Sequence, residues 1–539
     1  MSAIVDAYIE IPASRESRDA FVGDGEFSPF NLLLKTLVAT PELRYIVLPW
    51  DDSWGKIPVV NDRVKIVKPG AISDIAARDV GKAMRAWNHT GSLHGTLMST
   101  AFCAYGNPAQ ILDHLPRPHP RYVLSLTGHH AFITRETIAS TLRVADENGW
   151  IQAFYTCDGP LGMIPILVDV FVLDQMARSN TLPQSVFFSM GRFWGYMLGH
   201  TPTNVVQCRR AFELATQRGR SFCAAVGKRL RACGALDAET LSATAVVEAG
   251  NAEFDAWAGE LPQDVEIEIT TDRDIEPVYL PKLSRPRAAM SFELFRKIVT
   301  QFEPHKDSIN LTLGGFGDPL NHPELAAFLK TARPYVRALN IRTFGTRLTE
   351  DVFQEFVNTR VDTVNVRFGY WGKEQYLKAN NADLFEELST RILGIRDKQA
   401  EHGGAMPFFV PEVVKGLPGD KTLVDFRDEW YKRMSWPVVT SYNTFGGAVE
   451  PQQAINLYPG VRKPCYKITE QMIVHADGRV PLCWQDYDCR IPAGDLNAQS
   501  VTGAWRGELM RKVRASHQEG DYARHNSGCA KCNEWFRLS

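Results

Sequence analysis

The sequence lacks the features that would direct it to a membrane, to nucleic acid or out of the cell. Its most apolar stretch, Met163 to Leu173, is interrupted by Pro165 and Asp169. That falls well short of the roughly 20 apolar residues a helix needs to cross a bilayer. The N-terminus, MSAIVDAYIEIP, carries Asp6 and Glu10 where a secretory signal needs positive charge and an unbroken apolar centre. A cytoplasmic protein with no membrane partner is expected. Neither sign of charge is in excess: 60 Lys and Arg balance 62 Asp and Glu, for a formal net charge of -2. This excludes broad electrostatic attraction to nucleic acid or anionic lipid. Internal repeats and low-complexity tracts are also missing. Cysteine is absent between Cys233 and Cys465, and five of the ten cysteines stand at or after Cys465. Such crowding argues against a disulfide framework and for a metal centre.

With 539 residues, 44% hydrophobic and 23% charged, the chain has a globular composition. It is too long for one hydrophobic core, so about two to four domains are expected. AYIEIP (7–12), RYIVLP (44–49) and RYVLSL (121–126) predict strands, with a helix over Phe30 to Val38. They place an α/β layered domain over 1–177. Turn-rich, apolar-poor sequence marks 178–262 as a helical connector. From Val265 short β-branched runs alternate with amphipathic segments. VEIEIT (265–270), INLTL (309–313), ALNIRTF (338–344) and VDTVNVRF (361–368) are strands, and Ser291 to Phe302 is a helix. Pro323 opens another helix, since its fixed φ suits a first helical turn. Repeated βα units predict a partial parallel barrel over 263–445. Gly446 and Gly447 then precede a C-terminal module over 446–539.

That module holds Cys465, Cys483, Cys529 and Cys532, two single thiols followed by a CxxC. Closely spaced thiolates suit a soft centre, zinc or iron–sulfur. His475 to Gly478 lies between two apolar runs, 472–474 and 480–482, and predicts a hairpin that brings Cys483 beside Cys465. Together with Gly478, Gly494 and Trp505, the four cysteines resemble the SPASM domain, the C-terminal iron–sulfur module of many radical SAM proteins. The resemblance implies one 4Fe–4S cluster held by four protein thiolates with no open iron. Cys489 falls outside the pattern and reads as a packing thiol.

The loop L313GGFGDPLNHPEL325 resembles the glycine-rich loop of the radical SAM family. On that likeness Gly314, Gly315, Gly317 and Asp318 form a loop for S-adenosylmethionine or a nucleoside; on its own the loop also reads as a simple turn between strand and helix. The preceding strand runs into T270TDRDIEPVYLPK282, which aligns with the family's CxxxCxxC segment. Arg273, Pro277 and Leu280 stand at the cysteine positions, and none of them ligates iron. The resemblance with this departure implies a degenerate barrel that does not initiate radicals.

In the first domain GHHAFITRETIASTL and the segment around Asp158, Gly159, Pro160 and Gly162 resemble nucleotidyltransferases of the spore-coat polysaccharide type, within the nucleotide-diphospho-sugar transferases. That likeness implies a nucleotide or nucleotide-sugar partner and magnesium, with His129 at the family's magnesium aspartate. Arg15 and Arg18 are available for phosphate, although no Gly-Lys pair follows them. His129 and His130 point to opposite sides of an extended chain, so joint chelation by them is not expected; a His129–Asp158 metal pair remains an alternative. The order of pieces resembles the spiro-SPASM proteins of spirochaetes. Three functions follow as expectations: an iron–sulfur protein with a binding, scaffold or accessory role, a nucleotidyl- or glycosyltransferase acting through the first domain, and an atypical radical SAM enzyme.

Overall fold

The computed structural model describes residues 4–12, 14–58, 61–70, 108–151, 154–157, 159–179, 196–199, 201–208, 210–401, 407–415, 422–434, 438–451 and 460–535. They fall into two compact units, the first ending at Trp257 and the second beginning at Ala258. Among them no helix is long and apolar enough to cross a membrane.

The first unit is built on a seven-stranded mixed sheet. Its strands are β1 (Val5–Glu10), β2 (Leu43–Pro49), β3 (Val64–Val67), β4 (Tyr122–Thr127), β5 (Phe154–Cys157), β6 (Ile166–Asp169) and β7 (Tyr196–Gly199), in the order β3-β2-β1-β4-β6-β5-β7. β6 runs antiparallel to both of its neighbours, while β1 runs parallel to β2 and β4. The three strands predicted here form within two residues of the expected limits. The helix Pro29–Val38 has Pro29 at its first turn and Ser28 as N-cap, accepting from the Asn31 N–H, an arrangement that satisfies an otherwise orphaned donor.

The helical connector expected over 178–262 takes a different form. β7 is a strand of the first sheet, pairing with β5. The helices Gln217–Ala232 and Ala243–Ala252 bury Phe222, Val226, Leu230, Val246 and Val247 in the same core as Ile9, Phe30 and Leu124. This apolar face completes the first unit, which therefore runs to Trp257.

The second unit carries a curled sheet of seven strands, all parallel. These are β8 (Asp264–Ile267), β9 (Asn310–Leu313), β10 (Ala338–Thr343), β11 (Thr363–Gly369), β12 (Phe408–Lys415), β13 (Val438–Ser441) and β14 (Gln471–Val474), ordered β13-β12-β11-β10-β9-β8-β14. β15 (Arg479–Pro481) and β16 (Pro492–Asp495) form a separate antiparallel pair. Pro323 does not open the following helix, which spans Leu325–Ala332; Pro319 instead opens a short 3-10 turn before it. The predicted Ser291–Phe302 helix is α-helical over Phe292–Val299 and tightens to 3-10 as it approaches Pro304, whose ring and missing N–H break the α ladder. The C-terminal module is continuous with the barrel, because β14 pairs with β8 residue by residue from Gln471↔Asp264 to Val474↔Ile267.

Candidate metal centre and barrel mouth

Local elements place each of the four cysteines. Cys465 lies just ahead of the short helix Lys467–Glu470, and its N–H donates to His517 Nδ1 at 3.3 Å. Cys483 stands two residues past the end of β15. Cys529 lies in the helix Ser527–Lys531, whose N-cap Asn526 accepts from the Gly528 N–H, and Cys532 caps its other end. Arg462 donates to the carbonyls of Cys529 and Ala530 and stacks 4.3 Å from the Tyr522 ring centre. The thiols sense one another: burial first, and then the neighbouring sulfurs, push Cys483 up to about 11 and Cys529 up to about 12, and raise Cys465 further. Cys532 is also raised by burial. Such a group of half-buried thiols is neutral at pH 7 without metal and loses protons when metal binds. Among the described residues no three His, Cys, Asp or Glu side chains close on one point as they would around a single ion. Cys489 is buried outside the group, in the turn that follows Cys483.

The hairpin expected at His475–Gly478 is present as a turn, with His475 N–H donating to Arg479 O at 2.9 Å. Its two arms diverge, however: β14 adds to the barrel sheet, and β15 pairs with β16. The turn thus ties the cysteine module to the barrel mouth.

The glycine loop there is bonded to its own chain. Gly315 N–H donates to Glu266 Oε1 at 2.9 Å and Phe316 N–H to Glu268 Oε2 at 3.0 Å. Its carbonyls are taken as well, Gly315 O by Arg367 at 3.3 Å and Phe316 O by Arg273 at 2.8 Å. A Cβ on Gly317 would stand 2.1 Å from the Thr270 carbonyl oxygen, and one on Gly314 2.7 Å from Glu266 Oε1, so these glycines allow close packing against the extension of β8. Asp318 is fully buried and accepts from Thr343 Oγ1 at 2.7 Å, Phe344 N–H at 2.9 Å and Leu320 N–H at 3.0 Å. Burial nonetheless raises its pKa. It acts as a strut between the loop and the end of β10.

At the aligned cysteine positions, Arg273 bridges Phe316 O and Glu276 Oε2, the latter at 2.7 Å, Pro277 is buried, and Leu280 packs at the edge of an apolar cluster. That cluster joins Ile275 and Tyr279 to Phe316, Phe344, Phe445 and Trp484. Cys157, Cys208, Cys223 and Cys233 belong to the first unit, where Cys157 and Cys223 are core residues.

One charged feature was not anticipated. Residues paired across a parallel sheet share a face, and alternate residues of one strand do too. One face of β8 to β12 therefore presents Glu266 and Glu268, Thr312, Asn340 and Arg342, Asn365 and Arg367, and Glu412, while Val265, Leu311, Ile341 and Val364 occupy the other. Glu268 is wholly buried and chelated by Arg285 at 2.6 and 2.7 Å. Burial, then Arg342, lowers the Arg367 pKa. The alternation in VEIEIT and VNVRF was the available signal.

In the first unit a cavity of about 290 Å³ at the C-terminal ends of β1 and β2 is lined by Arg15, Arg18, Asp19, Trp50 and Trp54, among others. Arg18 lies over the Trp54 ring at 5.0 Å. His130 is buried and its Nδ1 accepts from the Thr127 N–H at 3.0 Å. His129 and Gly159 to Gly162 are described, but Asp158 lies outside the described residues.

Parts of the chain are similar to known proteins. An uncharacterized protein of Treponema pallidum (strain Nichols) is 23% identical over 294 residues, covering 51% of this chain and 79% of its own length. The structure of BtrN in complex with AdoMet and 2-DOIA aligns with a TM-score of 0.35 at 17% identity, over 51% of this chain and 93% of that one. SuiB of Streptococcus suis bound to its precursor peptide SuiA aligns with a TM-score of 0.40 at 9% identity, over 58% of this chain and 83% of that one. Residues 465–533, which hold all four cysteines, match the family model for SPASM, an iron–sulfur cluster-binding domain.

Proposed function

We propose that this is an iron–sulfur protein in which Cys465, Cys483, Cys529 and Cys532 hold one 4Fe–4S cluster, and whose barrel serves a binding, scaffold or accessory role rather than radical initiation. The observation that carries the reading is the group of four half-buried thiols, three of which have pKa values raised by neighbouring sulfurs, in the segment that matches an iron–sulfur domain. A donor set of this kind suits a soft centre. A cluster with four protein thiolates supplies structural bracing or one-electron storage. The thiols and cluster suit a reducing, cytoplasmic setting.

The residues at the barrel mouth do not fit a second, open-sited cluster with S-adenosylmethionine. Arg273, Pro277 and Leu280 offer no thiolate, Tyr279 and Phe316 pack in an apolar cluster beside them, and the glycine loop spends its donors on Glu266 and Glu268. Iron and sulfide analysis after anaerobic reconstitution tests the main reading. Roughly four of each per chain is expected for one 4Fe–4S cluster; zinc without labile sulfide would sink it.

A second reading, of a nucleotidyl- or glycosyltransferase, starts from the arginine- and tryptophan-lined cavity of the first unit, whose side chains could meet a nucleotide or nucleotide-sugar through phosphate contacts and ring stacking. Titration of CTP against tryptophan fluorescence, lost in Arg18→Ala, would support it. Magnesium-dependent turnover abolished by Asp158→Ala would raise it to a transferase.

A further inference from the structure

Between β8 and the helix Phe292–Val299 the chain crosses the barrel mouth as an extended segment. Ile275, Pro277, Tyr279 and Pro281 point inward and are buried, while Glu276, Val278 and Lys282 are exposed. Its first half is tied to the barrel by Val278 N–H donating to Ala379 O at 2.8 Å and by Asp274 accepting from Arg347 at 2.7 and 2.8 Å. Its return end is held by the cysteine module. Asp488 accepts from the Ser284 N–H at 2.8 Å and from Ser284 Oγ at 2.6 Å, and Tyr487 O accepts from Arg285 Nε at 3.0 Å. Arg285 in turn chelates Glu268, which holds the glycine loop.

The clasp begins at a thiol. Asp486 N–H donates to Cys483 O at 3.0 Å and Cys489 N–H to Asp486 O at 2.9 Å, folding 483–489 into one compact turn. Trp484, next to Cys483, donates from Nε1 to Glu266 Oε2 at 3.1 Å and packs 4.6 Å from the Phe316 ring centre. A few residues therefore link a proposed cluster ligand to the plug of the barrel.

We infer that occupancy of the four-cysteine site locks residues 273–287 over the barrel mouth through the Cys483–Cys489 turn, and that loss of the cluster releases this plug and exposes the charged face behind it. The inference rests on the cluster reading above. Its physical basis is that fixing Cys483 orders the turn, and ordering the turn supplies Asp488, Tyr487 O and Trp484 at no further entropic cost. Without that anchor the same contacts must order the turn themselves, and the plug becomes the easiest part of the unit to open.

Amide hydrogen exchange on the full chain tests this, with iron and sulfide counted on the same samples. In the loaded protein, peptides from 273–287 are expected to be protected; after chelation their exchange should rise at least tenfold, while peptides from β10 and β11 keep their protection. Asp488→Ala, which removes both acceptors of the Ser284 bonds without touching a thiol, should retain its iron and still show the fast exchange. Equal protection of 273–287 with and without iron, or an iron-loaded Asp488→Ala that protects the plug like wild type, would overturn the inference. So would loss of protection in β10 and β11 together with the plug, because the whole unit would then unfold at once. Wild-type protein that binds no iron would sink the cluster reading itself and is recognised from the metal count alone.

Discussion

His475 is buried between the barrel and the cysteine module, and neither ring nitrogen has a hydrogen-bond partner. Burial, then the Arg285 charge, pushes its pKa down to about 4. Protonation is thus easier in the unfolded chain, whose histidine titrates near 6.5. The neutral ring contributes stability above that value, and the contribution is lost as pH falls from about 6.5 toward 4. On the order of 3 kcal/mol is involved, so urea melts across this range should fall more steeply for wild type than for His475→Gln. At Gly317 the backbone itself is the obstacle: Gly317→Ala sets a methyl against the Thr270 carbonyl and is expected to cost about 3 kcal/mol in the same melts. Sequence spacing revealed the cysteines, because CxxC and the two single thiols announce their chemistry locally. It did not reveal Glu266, Glu268 or Arg285, whose importance comes from partners far away in sequence, Gly315, Phe316 and Asp488.

The plug segment is the element whose role changed most between sequence and structure. Arg273, Pro277 and Leu280 read as lost ligands, yet they belong to a strap with its own hydrogen bonds and apolar face. Asp274 anchors it: the Arg347 hydrogen bond, against the opposing effect of burial, holds the carboxyl down to about 2. A lowered carboxyl pKa stabilises the fold above the ordinary value of 3.8, and the effect disappears as pH falls toward 2. Solvent screening at this partly exposed site leaves about 1 kcal/mol. Asp274→Asn should therefore be less stable than wild type at pH 7 by that amount and indistinguishable from it near pH 2, as followed by denaturant unfolding. The strand Gln471–Val474 carries a similar lesson. Its apolar run was legible, but its partner was not, since the parallel neighbour β8 lies some two hundred positions earlier in the chain and local pattern favours the adjacent arm of a hairpin.

For the whole molecule, the proposed single cluster in the C-terminal module leads to two expected results. Cys529→Ser should lower bound iron by more than half and reduce the melting temperature of the second unit, because losing one ligand unbalances the site and metal binding is coupled to folding; calorimetry beside metal analysis checks both. Incubation of the reconstituted protein with S-adenosylmethionine and dithionite should yield no 5′-deoxyadenosine above the level of a Cys465→Ser control, and chromatography of the quenched mixture decides it. The first unit has a hydrophobic core of its own, and removal of iron is expected to leave its thermal transition in place.

By itself the sequence determined what short-range chemistry can carry: the thiols of the metal centre, the βα rhythm of the second unit, and the absence of thiols at Arg273, Pro277 and Leu280. The tertiary structure alone decided that residues up to Trp257 complete the first core, that β14 belongs to the barrel, and that the glycine loop is bonded to Glu266 and Glu268. These features depend on which distant segments meet. Hydrophobic burial and buried charge pairs choose among such meetings only when the whole chain folds, and a local pattern of residues does not encode them.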